Sequence, residues 1–348
     1  MDPTATRRLG RTDVHVTQLG FGTAPLGDLF TVLQDHDAQA ALDAAWRCGI
    51  RYFDTAPWYG RGQSEHRTGR SLYRHKRDSF VLSTKVGRVL RASRDTGRFE
   101  GDLWSGGLPF IHRFDYSYDG IMRSFEDSHQ RLGMSYIDLL LIHDLDYQHH
   151  GTDAAVGAHL AALYTSGWRA LSELKEHGHI RGIGAGVNEL NMIPRFLDLV
   201  DLDFFLVALP YTLLDQDVLD KEFPACVARG IGFVIGAVFA SGILAAGAKP
   251  GAKYAYKDPT PEVLDRVRRI EAVCGRHGVP LAAAAMQFPL GHPSVASVIP
   301  GALDRSQVER NVETFRHDIP AAFWDELKHE RLLRADAPLP LEAAPARL

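Results

Sequence analysis

Eight short runs rich in β-branched and aromatic residues, each ending in a polar residue or glycine, alternate with stretches of helical period along nearly the whole chain. The runs occupy residues 16–22, 50–55, 80–85, 137–144, 180–186, 203–211, 231–237 and 295–301. The stretches between them predict helices over 38–48, 64–73, 120–132, 154–177, 190–199, 218–229 and 262–288, the last broken at Gly278-Val279-Pro280. Runs such as IDLLLI are apolar at every position, not at every second one, so both faces are buried, as in a parallel sheet covered by helices. Eight such units predict an α/β chain closed into a (β/α)8 TIM barrel in preference to an open doubly wound sheet. An open dinucleotide-binding sheet would place GxGxxG directly after its first strand, and GFGTAPLG (20–27) has Pro25 where the third glycine belongs.

Composition agrees with one large soluble unit. A chain of 348 residues with 45% hydrophobic content buries roughly three quarters of its unfolded surface. One barrel domain is expected over 1–335, followed by a loosely ordered Ala/Pro-rich tail over 336–348. The formal net charge of −4 argues against a nucleic-acid or polybasic membrane partner. Three widely spaced cysteines, Cys48, Cys226 and Cys274, offer no CxxC pair, so neither a disulfide framework nor a metal site is expected. No third ligand is expected at metal spacing for the His149-His150 pair, which is read as part of a solvated loop. The start lacks a signal-peptide core, and the longest apolar run, 231–240, is half a membrane span. A cytoplasmic location is expected.

In a barrel, a polar residue at the C-terminal end of a strand points into the mouth, where active sites are built. Reading the strand ends in order gives Asp54, Lys85, His143 and Asn188, with Tyr59 in the loop just after Asp54. A free tyrosine titrates near pH 10, and a neighbouring ammonium lowers that value. Lys85, held charged by Asp54, is therefore expected to favour the Tyr59 phenolate, while His143 orients a substrate oxygen. Such a set serves a carbonyl reductase or an alcohol dehydrogenase. Three long connections, 86–118, 144–153 and 238–261, follow strands and so belong at the same mouth. They place Trp104, Phe110 and Tyr147, with Trp58, as candidates to stack on a substrate ring. Two rivals remain at this level: a Schiff-base aldolase using Lys85 as nucleophile, and a nucleotide-sensing subunit without turnover.

The segments GIRYFDTAPWYG, LSTKVG, DLLLIHD and SVIPGA resemble the aldo-keto reductases, in the same order, over residues 7 to about 335. LGFGTAPLGDLF, WSGGLPF, FDYSYDGIMRSFEDS, GAGVNE and LPYTLLDQ resemble the D-threo-aldose 1-dehydrogenase branch, which includes L-fucose and pyridoxal 4-dehydrogenases. The resemblance implies a barrel with an N-terminal β-hairpin, a catalytic tetrad of Asp54, Tyr59, Lys85 and His143, and a nicotinamide cofactor across the mouth. It implies cofactor contacts from Asn188 and Tyr211, with Ala208 where a glutamine is usual. It also implies pyrophosphate contacts from the backbone amides of Ser241, Gly242 and Leu244 in VFASGIL.

For the adenosine end the matching segment is IPGALDRSQVERN, with Gly301, Arg305, Gln307, Arg310 and Asn311. Gly301 and Gln307 stand where NADPH-selective relatives carry Lys and Arg, which favours NAD over NADP; Arg305 or Arg310 could still meet a 2′-phosphate. The implied reaction is NAD(P)-dependent oxidation of the hemiacetal carbon of an aldose such as L-fucose or D-arabinose to a lactone. Pyridoxal oxidation to its lactone and general NADPH-dependent aldehyde reduction are the alternatives.

Overall fold

The computed structural model describes residues 1–95 and 103–340. An antiparallel hairpin, β1 (Thr6–Arg8) and β2 (His15–Thr17), opens the chain. The barrel begins with β3 (Phe21–Gly22), β4 (Tyr52–Asp54) and β5 (Val81–Val86). The chain then leaves it for a second antiparallel hairpin, β6 (Arg88–Ala92) and β7 (Phe110–Phe114). It returns as β8 (Leu139–His143), β9 (Gly182–Val187), β10 (Phe204–Ala208), β11 (Gly232–Gly236) and β12 (Val295–Val298). All neighbouring barrel strands pair in parallel. Parallel bridges from Leu19 to Val298 and from Gly22 to Gly301 close the ring between its first and last strands.

Helices cover the outside: α1 (Asp35–Arg47), α2 (Gln63–Leu72), α3 (Tyr118–Leu132), α4 (Tyr147–His150), α5 (Asp153–Ala162), α6 (Trp168–Glu176) and α7 (Met192–Leu199). They continue as α8 (Glu222–Val227), α9 (Ile243–Ala246), α10 (Pro261–His277), α11 (Leu281–Gln287), α12 (Arg305–Phe315) and α13 (Ala321–His329). Local chemistry fixes their ends. The Ser117 hydroxyl accepts from the Gly120 amide to start α3, and left-handed Gly133 stops it. Thr260 caps α10, whose first residue is Pro261, and left-handed Gly278 ends it. No helix among the described residues is long and apolar enough to cross a membrane.

Because side chains alternate along a strand, every second residue points inward. The inner cluster joins Tyr52, Val81, Leu139, Leu141, Phe204, Leu206 and Val234 to Leu9, Val14 and Val16 of the N-terminal hairpin, which plugs the bottom of the barrel. A Cβ on Gly184 of β9 would lie 2.7 Å from the Phe204 ring, so glycine there makes room for the largest inward side chain of β10.

Several boundaries differ from the sequence reading. Residues 16–22 split between β2 in the plug and a two-residue β3 in the barrel. The helix expected over 154–177 is α5 and α6 joined by a π turn, Leu163–Gly167, where Gly167 backs onto the Tyr116 carbonyl. The long connection 86–118 is largely the β6–β7 hairpin, although its residues 96–102 lie outside the described set. Residues 336–340, assigned to a loose tail, run along the barrel: Ala337 is buried and Leu339 packs against the core. Residues 341–348 of that tail lie outside the described residues.

Candidate active site

Asp54 ends β4, Lys85 lies near the end of β5 and His143 ends β8, all on the inward register. The side chains meet at the mouth. Lys85 Nζ donates to Asp54 Oδ2 at 2.7 Å and to the Thr55 carbonyl at 2.8 Å. Ser83 Oγ donates to the other carboxylate oxygen, Asp54 Oδ1, at 2.7 Å. Tyr59 arrives from the turn after β4, its ring centroid 4.7 Å from Lys85 Nζ and 5.8 Å from the His143 ring. That turn is forced by packing: Gly60 is left-handed, and a Cβ on it would lie 2.5 Å from the Gly27 carbonyl oxygen. The loop carrying Trp104 is tied to the same turn, since Arg61 donates to the carbonyls of Leu108 at 2.8 Å and Gly106 at 2.6 Å.

The electrostatics depart from one expectation. Burial pushes the Tyr59 phenol well above its ordinary value, and the Asp54 and Asp144 carboxylates add to the rise. Lys85 does not reverse this, because its charge is matched by Asp54 and it lies over the ring face. Burial likewise holds His143 well below its ordinary value, so the imidazole is neutral. Burial works against ionisation of Asp144, yet the charges of Arg88 and His149 and the hydrogen bond from Arg88 hold its carboxyl far down.

These groups floor a cavity of about 240 Å³. Its apolar lining comes from Leu29, Trp58, Leu103, Trp104, Leu206 and Tyr256, with Trp58 and Trp104 edge to face at 5.9 Å. Its polar lining includes Asp144, Gln148, His149 and Asn188. Of the residues proposed for substrate, Trp58 and Trp104 line the cavity and two do not. Phe110 sits in β7 beside Ala92, against an outer groove with His66 and Arg123. Tyr147 turns to Arg195 and Asp153, at 2.5 and 2.7 Å.

Residues 18–330 match the model of the aldo/keto reductase family. The chain belongs to the aldo/keto reductase family. It is 46% identical over 343 residues to a pyridoxal 4-dehydrogenase from Microbacterium luteolum, covering 94% of this chain and 97% of that one. It is 39% identical over 322 residues to a D-threo-aldose 1-dehydrogenase from a Pseudomonas species, covering 91% and 95%. Among solved structures, the holo form of an aldo-keto reductase from Bacillus halodurans superposes with a TM-score of 0.71 at 26% identity, covering 95% of this chain and 97% of that one. This chain is thus an NAD(P)-dependent oxidoreductase.

The aldo/keto reductase mouth offers some of the groups expected to meet such a dinucleotide and withholds others. The Asn188 amide lines the cavity and donates weakly to Asp146 Oδ2 at 3.4 Å. Ser241 lies in a left-handed run with Ala240 and Gly242, and its hydroxyl accepts the Tyr256 amide at 2.9 Å. That tight turn sends the Gly242 and Leu244 amides back to the Phe239 carbonyl, at 2.8 and 3.1 Å, so they are engaged within the loop and not turned outward. Tyr211 is fully buried against Phe223, Phe288 and His292, away from the cavity.

At the adenosine segment, Gly301 pairs with Gly22 and accepts from Asn311 Nδ2 at 3.4 Å. Gln307 Oε1 accepts the Leu303 amide at 3.0 Å. Arg305 pairs with Glu309 at 2.6 Å, and Arg310 is exposed. Asp144, Gln148 and Tyr256 were missed by sequence reasoning, and His149 was weighed there only as a metal ligand and set aside. The adjacency of Asp144 to His143 in IHD was the available signal.

Proposed function

We propose that this chain oxidises the hemiacetal carbon of a neutral cyclic substrate, an aldose such as L-fucose or D-arabinose, to a lactone, with NAD+ favoured over NADP+. The observation that carries this reading is the tetrad Asp54, Tyr59, Lys85 and His143 converging at a cavity lined both by the rings of Trp58, Trp104 and Tyr256 and by the polar side chains Asp144, Gln148, His149 and Asn188. Tyr59, as phenolate, takes the proton of the anomeric hydroxyl. Lys85 stabilises that phenolate through its ammonium, and Asp54 fixes the ammonium in place. Neutral His143 donates to the substrate oxygen and sets its orientation. Asn188, Ser241 and Asn311 would hold the dinucleotide, Gly301 would admit it beside the barrel seam, and Arg305, Gln307 or Arg310 would meet its adenosine end. A bound nicotinamide would supply the hydride-accepting chemistry for the reacting carbon.

Pyridoxal is the second reading, favoured by the 46% identity to a pyridoxal 4-dehydrogenase and by the flat faces of Trp58 and Trp104. Screening aldoses and pyridoxal with both cofactors, with products identified by NMR, tests the choice. A lactone from L-fucose or D-arabinose at higher kcat/KM than from pyridoxal supports the first reading. Activity confined to reduction of open-chain aldehydes refutes both.

A further inference from the structure

We propose that Asp144 is a specificity-determining residue that accepts a hydrogen bond from the hydroxyl on the carbon adjacent to the reacting one, and so commits the site to 2-hydroxy hemiacetals. The inference rests on the hemiacetal reading above. After the inward His143, ordinary strand alternation would send residue 144 to the outer face. Asp144 instead adopts a left-handed backbone, φ 52°, and its carboxylate returns to the mouth, 5% exposed and lining the same cavity as Tyr59 and His143.

The two carboxylate oxygens have different surroundings. Oδ2 is held by Arg88 Nη2 at 2.5 Å, and that guanidinium is itself fixed over the Trp58 and Phe114 rings and against His112. Oδ1 lies 3.4 Å from His143 Nε2, too long for a good hydrogen bond, and retains acceptor capacity. Vicinal hydroxyl oxygens held gauche on a sugar ring stand about 3 Å apart, so one facing Nε2 places its neighbour within reach of Oδ1. A carboxylate can only accept, which matches a hydroxyl donor and rejects a carbonyl or an ether in that position.

A cation is the competing occupant, since Asp144, Asp146 and His149 present ligand atoms within 4.8 Å of one another. Arg88 already supplies the positive charge that Asp144 needs, and His149 Nδ1 is engaged with Asp146 Oδ1 at 2.7 Å. The geometry therefore favours a neutral donor over a metal ion.

The test compares kcat/KM for D-arabinose and L-fucose with that for their 2-deoxy analogues, in wild type, Asp144→Ala and the nearly isosteric Asp144→Asn. Thermal melting and NAD+ titration of each variant check folding. Wild type should prefer the 2-hydroxy sugars by 10- to 100-fold, the range of one charge-assisted hydrogen bond. In Asp144→Ala the preference should collapse below about threefold, with Asp144→Asn between. If Asp144→Ala does not fold, the wild-type preference and the Asp144→Asn ratio decide the matter. Equal use of both sugars by wild type overturns the proposal. So does an equal loss on both sugars in Asp144→Asn, which would make Asp144 only the counter-ion of Arg88. Absence of lactone from every aldose with wild type overturns the hemiacetal-sugar reading itself, and this proposal with it; the other failures leave lactone formation intact.

Discussion

Tyr59 is the one member of the proposed tetrad that comes from a turn, and in the proposed reaction its phenol is the group that exchanges the proton. Tyr59→Phe should lower kcat by about 10²- to 10⁴-fold with little change in NAD+ affinity by fluorescence titration. Because the proposed oxidation needs the phenolate and burial raises the pKa of the phenol, oxidative kcat should climb with pH across the alkaline range, whereas reduction should fall there. Lys85→Met removes the cation and should move the oxidative limb to higher pH. Asp54→Asn removes a carboxylate that opposes the phenolate and leaves Lys85 unmatched, so the limb should move down. Steady-state rates from about pH 6 to about pH 10 separate these shifts; a limb that ignores both substitutions would detach Tyr59 from the Lys85–Asp54 pair. The meeting of Asp54, Lys85 and His143 was legible in the sequence because strand ends point inward by alternation, and Tyr59 because it lies in the turn just after Asp54. Asp144 was hidden by the same rule, since its left-handed backbone reverses the side that alternation assigns. Phe110 and Tyr147 were misplaced because their loops fold into β7 and α4, which give those rings other partners.

Strands and loops decide which substitutions the barrel tolerates. Gly301 invites replacement by lysine to attract a 2′-phosphate, but a Cβ there would lie 2.5 Å from Cγ of the rigid Pro25 ring. Gly301→Lys should therefore lower the melting temperature and yield little soluble protein. Gln307→Arg should fold, and should shift the kcat/KM ratio towards NADP+ by about 10-fold; an unchanged ratio would mean that position 307 does not meet the phosphate. Inside the barrel, Gly184→Ala should cost about 1–3 kcal/mol in urea denaturation, because Phe204 fills the space its Cβ would take. Eight parallel strands were readable from continuous apolar runs. The β6–β7 hairpin was not, because its residues Arg88, Arg91, His112 and Arg113 break any apolar pattern. The helices α12 and α13 were also passed over, since they follow the last strand, where the alternation that marked the others has ended.

At the scale of the whole molecule, buried histidines make the fold sensitive to acid. His292 packs among Tyr211, Phe223 and Phe233, and burial lowers its pKa to about 4. The unfolded chain binds a proton near the ordinary value of 6.5, before the native state does. Stability is thus full above that value and is lost as pH falls towards 4, by up to about 1.4 kcal/mol per pH unit for each such histidine. Urea unfolding at several pH values should show this slope, and His292→Phe should reduce it. The plug formed by Leu9, Val14 and Val16 at the foot of the barrel has a further consequence. It makes the molecule a dead-end street: whatever enters the cavity must back out past anything that entered after it. If one reactant sits below another there, the closed foot would require the deeper one to enter first and to leave last.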